Sequence, residues 1–127
     1  MTTAERRPIS LLIAALGGEG GGVLSGWIVR AIEHHGLIVQ STSIPGVAQR
    51  TGATTYYIET FPVPAAELGS RRPVLSLYPS VGDIDVMVAS ELIEAGRAIQ
   101  GGFVTPDRTT LIASTHRAYA IGERMDM

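Results

Sequence analysis

Five glycines and one glutamate, Gly17-Gly18-Glu19-Gly20-Gly21-Gly22, form the segment of this sequence best suited to chemistry. A glycine carries no Cβ, so its N–H can face a ligand unshielded, and a helix that starts there adds partial positive charge. A phosphate or another anion is the ligand such a turn suits. The competing reading is a tight turn that lets a strand and a helix pack closely. The number of glycines tilts the balance toward close approach by a ligand or another chain. Two nucleotide signatures are excluded by spacing. A G-x-G-x-x-G reading fails because the third position is Val23 counted from Gly18 and Gly20, and Ser25 counted from Gly20 and Gly22. The acid that would read a ribose about 20 residues on is replaced by Gln40-Ser41-Thr42. No Gly-Lys-Ser/Thr follows, so this is not a P-loop.

A second polar cluster is Gln49-Arg50-Thr51-Gly52. An arginine there could grip a carboxylate or phosphate through two parallel N–H bonds. Read on its residues alone, the arginine is better explained by a surface ion pair. His34-His35 falls at the end of a helical pattern, where a cation suits the helix dipole. His116 has no acid or nucleophile at a recognisable spacing, and Asp83, Asp85 and Asp107 read as turn residues. The sequence shows no catalytic triad, paired carboxylates or histidine-rich metal spacing, so no residue is assigned a catalytic or metal-binding role.

The elements that carry these residues follow from hydrophobic pattern. Ile9–Leu16 is a continuous apolar run followed by the glycines, the signature of a strand covered on both faces. Val23–His35 places Val23, Leu24, Trp27, Ile28, Ala31 and Ile32 on one helical stripe, and Gly36 stops it. Leu37–Val39 begins a second strand. Together they predict a strand–turn–helix–strand unit closing onto a parallel sheet, with Arg50 near its carboxyl edge, where ligands of such sheets bind. Ser43–Gly52 reads as a loop, Ala53–Phe61 as a strand, Pro62–Pro73 as a surface excursion, and Val74–Tyr78 as a short extended segment. Ile84–Ala89 predicts a buried strand, and a helix runs from Ser90, its expected N-cap, to Gln100. Thr109–Ala113 is the last strand. The expected architecture is a three-layer α/β/α sandwich with a mostly parallel sheet, Rossmann-like without the dinucleotide fingerprint.

Composition narrows the function classes. The 127 residues suit one domain, with 45% hydrophobic and 17% charged residues, and no disorder is implied. A net charge of −2 with scattered arginines gives no footprint for nucleic acid. Cysteine is absent, which removes disulfides, a thiol nucleophile, thiolate zinc and iron–sulfur ligation by this chain. No apolar run approaches a bilayer span and the first eight residues do not read as a signal peptide, so a soluble cytoplasmic location and no membrane partner are expected.

Three segments in order carry a resemblance: Gly17–Gly22 opening a helix, Gly46–Gly52 after the second strand, and Asp85-Val86-Met87-Val88-Ala89-Ser90-Glu91 running into a helix. Together they resemble the gamma domain of the 2-oxoacid:ferredoxin oxidoreductases, most closely that of the beta subunit of indolepyruvate ferredoxin oxidoreductase. Glu19 stands where that family carries glutamine. The resemblance implies part of an enzyme that oxidatively decarboxylates a 2-oxo acid, here an aryl pyruvate, and yields acyl-CoA, CO2 and reduced ferredoxin. It implies no cofactor held by this chain alone. Thiamine diphosphate, magnesium and 4Fe–4S clusters would sit in a larger partner subunit or other domains, and CoA would be a substrate. The expected assembly is a hetero-oligomer that reaches ferredoxin through the complex, with the isolated chain inactive. The positions implied for CoA or interface contact are Gly18, Gly20, Gly21, Gln49, Arg50, Gly52 and Glu91. The gamma domains of the family are longer, and the last strand lacks a cover, so residues 1–127 are expected to be one gamma-type domain cut from a longer polypeptide. The alternative is a stand-alone nucleotide- or anion-binding module, and a purely structural assembly subunit is a third reading.

Overall fold

The computed structural model describes residues 6–48 and 53–115. The apolar run becomes the central strand β1, Ile9–Leu16, in which Leu12, Ile13, Ala14 and Ala15 are all buried. Burial of four consecutive residues requires cover on both faces. Helix α1, Gly21–His34, lies on one face, and the later helix α3, Leu92–Gln100, lies on the other. The remaining elements are β2 (Leu37–Ala48), β3 (Ala53–Pro64), α2 (Ala65–Leu68), β4 (Val86–Ala89) and β5 (Thr110–Ala113). The sheet order is β2-β3-β1-β4-β5. This is the three-layer α/β/α class that the hydrophobic pattern predicts.

Within that class the sheet is mixed. β4 is parallel to β1, and β5 is parallel to β4. β3 lies antiparallel between β1 and β2, so the second strand does not pair with the first. The reason is chain length. Only four residues separate Ala48 from Ala53, and a parallel crossover needs a dozen or more. The Thr54–Ile58 stretch, rich in β-branched and aromatic residues, then fills a central position covered on both sides. Four of the five strands still point one way, with β3 opposed.

β2 continues through Pro45 to Ala48, where a loop was expected from Ser43. As the outer strand of the sheet it tolerates a proline, and its register shifts between Pro45 and Ala48. β3 likewise runs past Phe61 to Pro64, and the expected excursion starts with the single turn of α2. Val74–Tyr78 forms no strand.

The main core lies on the α3 face, where Leu12, Ala14, Tyr57, Ile84, Met87, Ala89, Ala95 and Ala98 pack together. α1 meets the sheet differently. It buries Gly21 and Ser25, while Val23 and Trp27 stand 57% and 65% exposed. The expected apolar stripe is therefore split: Leu24, Ile28 and Ile32 are half-buried, and Val23, Trp27 and Ala31 face outward. Small residues on the sheet side let the helix approach closely, and this rotates the bulky residues away.

Candidate functional site

All four co-directed strands end at one edge of the sheet, and the glycine turn leaves β1 there. Gly18 and Gly20 hold φ of +84° and +80°, a region that L side chains rarely adopt. Gly20 is the left-handed N-cap of α1, and its carbonyl accepts the Leu24 N–H at 2.9 Å. The turn has two halves. A Cβ on Gly21 would come within 2.6 Å of the Ala15 Cβ and 2.8 Å of the Tyr56 ring, and one on Gly22 would lie 3.4 Å from the Tyr56 hydroxyl. A Cβ on Gly17, Gly18 or Gly20 would meet nothing within 4 Å. The six-residue turn is thus divided between packed and open positions. Gly21 and Gly22 serve packing, and Gly17, Gly18 and Gly20 meet no other described residue.

Glu19 ties this turn to its neighbours. Its carboxylate Oε1 accepts the Leu16 N–H at 2.9 Å and the Ser90 hydroxyl. The Glu19 N–H in turn donates to the Leu16 carbonyl at 3.1 Å. One carboxylate thus fastens the end of β1 to the end of β4. These are acceptor contacts, which the Oε1 of a glutamine could equally make. Ser90, expected as the N-cap of α3, is drawn into this bridge instead.

The N-cap of α3 is Glu91, in extended conformation, and its carbonyl accepts the N–H groups of Glu94 and Ala95. Its side chain is fully buried, and Glu94 one turn on is 5% exposed. Two carboxylates in the first turn of a helix suit its dipole. Glu94 lies 3.8 Å from Arg97 Nε and borders a groove of about 410 Å³ between α3 and the sheet, floored by Leu12, Ala14, Ile44 and Thr55.

Gln49, Arg50 and Gly52 lie outside the described residues. The strand ends that flank them do not. Ala48 pairs with Ala53, and Ala53 pairs with Leu16, the last residue of β1 before the glycines. The topology therefore starts all three motif segments from one sheet edge: the glycine turn, the 49–52 segment and the Ser90-Glu91 helix start.

The opposite edge holds a polar cluster around Asp83 and Asp85, two residues expected only to mark a turn. Asp85 accepts the Ser10 N–H at 2.8 Å and the Ser10 hydroxyl, and pairs with Arg7 and Arg108 at 3.2 Å each. Arg108 also pairs with Asp83 at 3.5 Å. Beside it Glu59 accepts the Ser76 N–H and a hydrogen bond from Tyr57. Burial raises the Glu59 carboxyl above its usual range, although these two bonds pull it partly back. Burial also raises the Tyr57 phenol, with the Glu59 charge adding to it, so the phenol stays neutral. The available signal was a polar residue inside an apolar strand run: Ser10 in the first strand and Glu59 in the third. His34 and His35 lie at the exposed end of α1, with ring centroids 6.4 Å apart, and His116 lies outside the described residues.

Fold and edge define a class: an α/β domain that presents a glycine turn, a helix start and a strand connection at the carboxyl edge of its sheet. The sequence from residue 10 to 124 matches the family described as pyruvate ferredoxin/flavodoxin oxidoreductase, and the chain belongs to that family. No curated protein matches it. The family is associated with thiamine diphosphate and iron–sulfur clusters in the complex. The chain has no cysteine, and among the described residues no three His, Cys, Asp or Glu side chains are placed to hold a metal. Among the described residues, too, no helix is long and apolar enough to cross a membrane.

Proposed function

We propose that this chain is the gamma-type part of a thiamine-dependent 2-oxoacid:ferredoxin oxidoreductase, with an aryl pyruvate such as indolepyruvate as substrate. Residues 1–127 act as one non-redox domain of the complex. They present the carboxyl edge of the sheet to a larger thiamine- and iron–sulfur-bearing subunit and frame the approach of CoA. Decarboxylation and electron transfer to ferredoxin belong to that partner, and the isolated chain is inactive. Gly18 and Gly20 set the turn, Gly21 seats it on Tyr56, and Gln49, Arg50, Gly52 and Glu91 complete the contact edge.

The observation that supports this reading most is the open half of the glycine turn. No described residue outside the turn lies within 4 Å of where side chains at Gly17, Gly18 and Gly20 would be, although the turn sits beside the other two motif segments. An edge left bare of side chains admits a surface or a cofactor tail that a crowded edge would refuse.

Reconstitution of the complex with Arg50→Ala tests the reading. The expected result is a raised KM for CoA or weaker subunit association, with the circular dichroism of the variant chain unchanged. Wild-type assembly and CoA kinetics in the variant would overturn the role of this edge. Saturable stabilisation of the isolated chain by a nucleotide, lost on substitution in the glycine turn, would favour the anion-binding module instead.

A further inference from the structure

A second cavity, of about 320 Å³, lies at the other end of the sheet, on the face that carries α3. Its floor is Phe61 and Leu68, both buried, and Val74, two prolines and three arginines, Arg6, Arg71 and Arg72, form the rest of its lining. No acidic residue lines it among the described residues. Its position follows from the strand directions. β3 runs against β1, so Phe61, one residue past the Ile9↔Thr60 pair, lies at the amino edge. The eight residues of β1, roughly 26 Å at about 3.3 Å each, separate it from the glycine turn.

The arginines distinguish this cavity from an ordinary solvated face. The chain carries ten Lys and Arg against twelve Asp and Glu, so three guanidiniums around one cavity, with no carboxylate among the described residues that line it, is a local inversion of its charge. Nearby Arg7 and Arg108 are both paired with aspartates. Among the described residues the guanidiniums of Arg6, Arg71 and Arg72 have no such partner. Local structure fixes the backbone from which two of them project. Gly69, at φ +61°, turns the chain after α2, and the Arg71 N–H donates to the Leu68 carbonyl at 3.1 Å, so Arg71 and Arg72 leave directly from the residue that floors the cavity. Like charges gathered without a counter-charge repel, and a bound anion relieves that repulsion.

We infer that this cavity is a binding site for an organic phosphate of the nucleoside diphosphate class. The ligand lays its apolar group on Phe61 and Leu68 and its phosphates among the three arginines. Guanidinium forks match phosphate oxygens two at a time, and the volume is that of small-molecule pockets. A concave site with a buried aromatic floor suits a small molecule better than a protein surface. The site lies at the opposite edge from the proposed CoA and partner contacts and stands independently of them.

Isothermal titration of the full chain at low salt tests the inference with three probes: ADP, inorganic pyrophosphate and adenosine. ADP is expected to bind most tightly, pyrophosphate more weakly for want of the apolar contact, and adenosine least. Arg71→Ala/Arg72→Ala is expected to weaken ADP binding about tenfold or more. Circular dichroism is expected to be unchanged, because both side chains are exposed. Undetectable ADP binding at millimolar concentration would overturn the inference, as would adenosine binding as tightly as ADP. So would ADP binding that the double variant retains in full but a Gly17→Val variant loses, because the anion site would then lie at the glycine turn.

Discussion

The two edges of the sheet treat their polar groups in opposite ways. At the amino edge around Ser10, donors and acceptors turn inward: Asp85 takes up the Ser10 N–H and hydroxyl and two arginines, and Glu59 takes up Ser76 and Tyr57. At the carboxyl edge Glu19 closes contacts of this kind, and no other described residue lies within 4 Å of where side chains at Gly17, Gly18 and Gly20 would be. A polar group buried in water's absence is stabilising only when it is bonded, so the closed network fastens the fold and is not available to a ligand. The open edge adds little to the fold. The comparison separates holding the domain's shape, which falls to the aspartates, from presenting a surface, the role proposed above for the glycines.

The largest expected effect probes the divide within the turn itself. Gly21→Ala sets a methyl group 2.6 Å from the Ala15 Cβ and 2.8 Å from the Tyr56 ring, both in the sheet. Strand and helix must separate, and chemical denaturation is expected to show a loss of about 2–3 kcal/mol. Gly17→Ala, four residues earlier, enters open space and is expected to change stability by no more than about 0.5 kcal/mol. Equal losses for the two substitutions would remove the distinction between a packed and an open half.

A smaller effect is expected at the closed edge, and pH reads it. Burial raises the Glu59 carboxyl, so the folded chain holds its proton more tightly than the unfolded chain does. For a raised group the associated stability is fully present below the unfolded value, ordinarily near 4.5, and is lost as pH rises through the folded value. Glu59→Gln keeps an acceptor for the Ser76 N–H and cannot ionise. The stability of wild type minus that of the variant is therefore expected to fall as pH increases above about 4.5. Assembly with the partner is expected to be unaffected, because Glu59 lies near the edge away from the glycine turn. A difference that is flat in pH, or that rises, would show that Glu59 is not held in this way.

Much of the fold was legible because long apolar runs have one solution here. Ile9–Leu16 needs two covered faces, and the βαβ unit formed by β4, α3 and β5 follows from a short apolar strand, acidic residues at a helix start and a glycine stop. The insertion of β3 beside β1 was not legible. It depends on which strand fills the centre, and local pattern does not encode neighbours. The short chain between Ala48 and Ala53 would have given away the antiparallel pairing of β2 with β3, had Pro45 not disguised the end of β2 as a loop. At the site, the glycine segment was visible as a string of residues without Cβ, but its division between Gly20 and Gly21 was not. That division depends on Tyr56, 35 residues from Gly21 in sequence and placed beneath the helix start only by the register of β3. The arginine-lined cavity escaped for the same reason, since Arg6 and Arg71-Arg72 meet only once β3 reverses the chain.

The smallest expected effect concerns the residue that joins the open edge to the rest of the molecule. Glu19 receives hydrogen bonds from the Leu16 N–H and the Ser90 hydroxyl on the same oxygen, and these two contacts call for an acceptor rather than a charge. Glu19→Gln keeps that acceptor on a side chain of the same length, and stability is expected to stay within about 0.5 kcal/mol of wild type. Glu19→Ala removes it, frees the turn from β4, and is expected to lose about 1 kcal/mol. Hydrogen exchange at the Leu16 amide gives the local readout: protection retained in the glutamine variant and reduced in the alanine variant. Lost protection in the glutamine variant would mean that the carboxylate's charge, rather than its geometry, holds the end of β1 against β4. The open half of the turn would then owe its shape to electrostatics and loosen as salt is added.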